Sequence, residues 1–164
     1  MELLAQLLRN NSNAQAIVSV PFLGGPTLRG YTVASTDVKP GDKLGITLYW
    51  QSRPPRETPV NSFVHVRNGR SGRPNNLRSG SDIWAQAEHM VPGGRLTTEY
   101  WAGQIYADYF MVHLPDDMPS DVYFLEIGWF DPQSGEQLDP IDEAISPPLR
   151  ELWRSVLLPS ITVH

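Results

Sequence analysis

The chain has 164 residues, room for one domain around one sizeable core, and its 40% hydrophobic content excludes wholesale disorder. Thirteen basic against 18 acidic side chains (net −5) speak against nucleic-acid binding, which rests on neutralising phosphates. With no cysteine, disulfides, thiolate nucleophiles and Cys-ligated zinc are impossible, although this identifies no compartment.

Fifteen prolines and 13 glycines favour short elements joined by turns. Met1–Arg9 (MELLAQLLR) sets Leu3, Leu4, Leu7 and Leu8 on one helical stripe. It lacks the basic start and long apolar core of a signal peptide and is too short to span a bilayer. It reads as a helix docked on the domain or an inherited linker; the tail of an upstream membrane region is the less favoured alternative. Residues 1–14 are therefore set apart from a domain over 15–164.

Gln15–Phe22 (QAIVSVPF) is a first strand, with Pro21 marking an edge or an end. Leu28–Ala34 is a second. Asp37–Asp42 turns the chain into Lys43–Ser52, where Leu44, Ile46, Leu48 and Trp50 share a face opposite Gly45, Thr47 and Tyr49. Val60–Arg67 is a strand apolar on both faces. Asn68–Ser81 is a polar loop carrying Arg70, Arg73 and Arg78, which suits a solvated insertion better than an acidic-ligand grip.

Ile83–Met90 is a strand with Trp84, Gln86 and Glu88 on one side. Thr97–Gly103 is an aromatic-bearing connection. Ile105–Leu114 is a strand that gathers Asp108, Phe110, Val112 and Leu114. The strongest signal follows: Tyr123, Leu125, Ile127 and Trp129 alternate with Phe124, Glu126, Gly128 and Phe130, before the turn chemistry of Asp131–Gly135. Asp139–Arg154 is acidic, then Pro-rich, with a helical turn expected around Leu149–Trp153. Ser155–Val163 closes the sheet. About eight strands with turns between them predict an all-β fold, an antiparallel β-sandwich of Greek-key, immunoglobulin-like or jelly-roll-like type.

The motif order YTVASTDVKPGDKLGITLYWQS, FVHV, AQAEHMVPGG, EYWAGQIYADYFMVHLP and MPSDVYFLEIGWFDPQSGEQL spans about Leu28 to Val163. It resembles the C-terminal extracytoplasmic β-sandwich module of bacterial membrane glycosyltransferases of the dolichyl-phosphate-mannose-dependent type, and related modules of envelope proteins. Ser120-Asp121 stands where that module usually has a Gly, and the Arg loop is longer. The resemblance implies an accessory domain without catalytic residues, on the extracytoplasmic side of a bacterial membrane if the chain belongs to a larger protein. Its partners would be a glycan or a membrane glycosyltransferase region.

The chemistry-bearing residues agree. There is no Gly-x-Ser-x-Gly elbow and no phosphate-cradling loop, and His65, His89, His113 and His164 show no metal-ligand spacing, so neither metal nor cofactor is expected. Two constellations stand out. His65, Gln86, Glu88 and Asp108 fall on strands that alternation can bring together. The favoured reading is a hydrogen-bonded cluster pinning strand register, ahead of ligand binding, with a glycosidase-like Glu88/Asp108 pair last. The second is aromatic: Trp84, Tyr100, Trp101, Tyr106 and Tyr109, rings that stack on sugars when exposed and fill a core when not. The acidic run Asp139, Asp142 and Glu143 lacks the periodicity of a calcium loop and reads as solvated.

Overall fold

The computed structural model describes residues 14–54, 57–68, 80–141, 150–152 and 155–164. The expected helix Met1–Arg9, the loop arginines Arg70, Arg73 and Arg78, and Asp142 and Glu143 lie outside the described residues. Among the described residues ten strands run in order: β1 (Ala14–Pro21), β2 (Thr27–Val33), β3 (Asp37–Val38), β4 (Lys43–Gln51), β5 (Asn61–Arg67), β6 (Ile83–His89), β7 (Ile105–His113), β8 (Asp121–Phe130), β9 (Arg150–Leu152) and β10 (Ser155–Val163). The eight long ones are those the alternation predicts; β3 and β9 are additions of two and three residues.

They form two sheets, ordered β1-β2-β4-β7 and β3-β10-β8-β5-β6, with β9 also on β10. Every pair is antiparallel except β3 with β10. The sheets stack through their alternating apolar faces. Leu44, Ile46, Leu48 and Trp50 of β4 and Phe110 and Val112 of β7 meet Tyr123, Leu125, Ile127 and Trp129 of β8 in one core. Trp50 and Trp129 meet across it at a ring separation of 4.5 Å. Burying such large rings is the main stabilising term, on the order of 25 cal/mol per Å² of apolar surface removed from water.

Two local expectations are corrected. Asp37–Val38 is not only turn: it pairs with Thr162 and Val163 at the far end of the chain. The helical turn expected around Leu149–Trp153 is replaced at Arg150–Leu152 by a strand on Ser155–Leu157. Both pairings depend on β10, whose neighbours no local pattern names.

The chain enters β8 through a corner in which the Tyr123 hydroxyl donates to the Pro119 carbonyl at 2.8 Å. The entry to β7 is built on short helical turns at Pro92–Gly94 and Thr97–Glu99. Gly93 there has φ +68°, and an added Cβ would stand 2.7 Å from the Tyr100 hydroxyl and 2.8 Å from the Tyr106 ring. Only glycine fits a left-handed turn against those stacked rings.

Candidate functional site

β7 alternates buried and exposed residues throughout, and Asp108 falls on the buried side with Tyr106, Phe110 and Val112. A carboxylate with no exposed surface needs donors, and it has three. Asp108 Oδ2 accepts from Ser62 Oγ at 2.6 Å and from Trp50 Nε1 at 3.2 Å. Oδ1 accepts from His89 Nδ1 at 2.6 Å. Trp50 comes from the same sheet as Asp108; Ser62 and His89 come from the other. One side chain thus ties the two layers together from inside the core.

His89 is the member that reaches the surface. Its ring stacks on Phe110, centroids 4.0 Å apart and planes within 2°. A carboxylate oxygen only accepts, so Nδ1 carries the hydrogen, which leaves Nε2 as the ring's second polar atom. Among the described residues Nε2 has no partner. His89 and Asp108 border an open cleft of about 660 Å³ shared with Glu88, Met90, Val91, Gly93, Gly94, Ala107 and Tyr109. That volume is in the range of small-ligand sites. A second cavity, beside Gly25 and Thr97, measures only about 20 Å³.

Tyr109 also borders the cleft. It points outward from β7 and is 54% exposed. Its ring lies over Gly45 of the neighbouring strand: an added Cβ would stand 3.1 Å from the hydroxyl and 3.5 Å from Cε2. With no side chain at Gly45, the ring lies against the sheet and presents its other side to solvent.

The register divides the polar quartet expected from sequence. His65 and Gln86 are direct partners on β5 and β6, and Glu88 sits opposite Phe63, all facing away from the other sheet. Asp108 points the other way, into the interior. His65 Nδ1 instead meets Glu126 Oε1 at 3.0 Å, and Arg67 joins Glu126 (3.1 Å) to Asp82 (2.9 and 3.0 Å). Burial pushes the Glu126 carboxyl upward, but the His65 hydrogen bond and the Arg67 charge outweigh it and hold it below its ordinary value. Asp82 is likewise lowered, first by its hydrogen bond to Arg67.

Among the aromatics, Trp84 shares parity with the outward Gln86 and Glu88 yet is buried, 7% exposed and edge-on to Tyr123. A register shift explains the correction: Val66 pairs with Ala85 and Arg67 with Ile83, leaving Trp84 as the extra residue of a bulge. Tyr100 and Tyr106 stack on each other inside, at 3.8 Å. Burial pushes the Tyr106 hydroxyl far above its ordinary value. Trp101 is 66% exposed but does not line the cleft.

The sequence reading missed His89 as the partner of Asp108. A signal was present in the row Ala85-Ala87-His89, which alternates inward and ends on a polar residue beside the inward Asp108 row.

No protein-family model and no curated protein matches the chain. Among the described residues no group of three His, Asp or Glu is placed to hold a metal ion, and no helix is long and apolar enough to cross a membrane.

Proposed function

We propose that this chain is a non-catalytic accessory module that contacts neutral carbohydrate in the β6–β7 cleft, as part of a bacterial envelope glycosyltransferase system on the extracytoplasmic side. The observation that carries the carbohydrate reading is the pairing of His89 with Tyr109. An imidazole oriented by a buried carboxylate gives a directional hydrogen-bonding group for a hydroxyl. Tyr109, which borders the same cleft, carries its half-exposed ring onto the adjoining outer face, where it gives a platform for sugar C–H groups. The link to a glycosyltransferase rests on the motif resemblance.

Within the sandwich class the immunoglobulin-like version is the one we favour. Its support is the parallel β3–β10 contact beside an otherwise antiparallel sheet, and the tyrosine at the entry to β8 whose hydroxyl bonds back to Pro119. Such a fold carries many unrelated functions, so the site and not the fold bears the argument.

A glycosidase-like role for Glu88 and Asp108 is disfavoured by the hydrogen bonding. Both Asp108 oxygens are taken by protein donors, leaving none to protonate or attack a glycosidic centre. A protein–protein role is the second reading, favoured by exposed Met90, Val91 and Leu23.

Titration of the whole chain with neutral oligosaccharides tests the reading. We expect binding that Tyr109→Ala and His89→Ala each weaken by about tenfold or more. Failure of every neutral sugar to bind, with a stable protein recovered in pull-down, would replace it with the second.

A further inference from the structure

The two outward faces of the sandwich differ in kind. That of the second sheet carries the charged set His65, Arg67, Asp82, Glu88 and Glu126. That of the first sheet is uncharged across its centre. Cross-strand partners build two rows over it: Tyr109, Thr47, Thr32 and Gln15, then Ala107, Tyr49, Gly30 and Ile17. Among the described residues charge stands only at the ends, with Lys43 opposite His113 at one and Arg29 bonded to Gln51 at the other.

Three features of this face bear on what it meets. Hydroxyls and rings interleave along it rather than pooling into one apolar patch, which matches the mixed C–H and hydroxyl surface of a pyranose. Ala107 and Tyr109 belong both to the face and to the cleft that holds His89, so the two surfaces are continuous. Neighbouring strands lie about 4.8 Å apart, close to the rise of one sugar along a chain. Tyr109 covers the step between β7 and β4 by lying over Gly45.

Resting on the carbohydrate reading above, we propose that the ligand is an extended, uncharged oligosaccharide. One sugar occupies the cleft at His89, and the chain leaves it over Tyr109 to cross the outer face of the first sheet through Thr47 towards β2. Charge selection follows from the same surface. An acidic chain would gain no cation at the centre of the face and would enter a cleft bordered by Glu88 and the buried Asp108 carboxylate.

The test is a ladder of neutral glucose and mannose oligosaccharides, from monosaccharide to hexasaccharide, beside a uronic-acid ladder of equal length. Calorimetry is run on the full chain and on Thr47→Glu, with thermal unfolding as the check that the variant folds. Affinity for the neutral ladder is expected to rise about tenfold or more with length, with the uronic acids weaker at every step. Thr47→Glu is expected to remove the rise of affinity with length. Thr32→Glu, one strand further out, gives the same readout if Thr47→Glu fails to fold.

A neutral ladder that binds with one affinity at all lengths overturns the extended chain and leaves the cleft reading intact. Preference for the uronic acids overturns the charge selection. No binding by any member of either ladder overturns both this proposal and the carbohydrate reading.

Discussion

Asp108 shows how one residue decides a face. On sequence it sits in an apolar row with Phe110 and Val112, where an ionised side chain is costly unless every oxygen is met. Trp50, Ser62 and His89 meet it. Asp108→Asn would set an amide nitrogen or a weaker acceptor against one of those donors, at a cost of about 3 kcal/mol. Urea unfolding measures this, and Ser62→Ala, which removes only one donor, should cost about 1 kcal/mol. Equal losses for the two variants would mean that the carboxylate does not organise the cluster. The same substitution releases His89 and should weaken sugar binding beyond what the lost stability explains.

At the scale of elements, corners and bulges set where side chains go. The β6 bulge at Trp84 reverses parity over a single step, so one strand sends Trp84 into the core and Gln86 and Glu88 out. The corner before β8 is fastened by the Tyr123 hydroxyl on the Pro119 carbonyl, while the ring remains in the core. Tyr123→Phe keeps the ring and removes the bond, so we expect a loss of about 1 kcal/mol in denaturant unfolding with the fold retained. A neutral substitution would mean the corner is held by packing alone.

For the whole molecule, the charged outer face of the second sheet predicts a pH response. Folding lowers the Glu126 and Asp82 carboxyls, so their ionised forms favour the folded state. That contribution is present above the unfolded carboxylate range, about 4, and is lost as pH falls through the lowered folded values. Unfolding midpoints in urea should therefore fall between pH 5 and pH 3, two conditions on either side of about 4. Glu126→Gln should flatten part of that fall. A variant with the wild-type pH slope would show that the His65–Glu126–Arg67 set does not contribute.

The sequence by itself determined the layers. Alternation at Leu44–Trp50 and Tyr123–Trp129 sorted inward from outward residues, because successive side chains leave an extended backbone on opposite sides. It also placed Asp108 with Phe110 and Val112. What alternation cannot carry is which strands become neighbours. Register, the Trp84 bulge, the short β3 and β9 pairings and the meeting of Asp108 with His89 join segments far apart in the chain. Only the closed tertiary structure brings those segments within hydrogen-bond reach, and the cleft exists only where the edges of its two sheets come side by side.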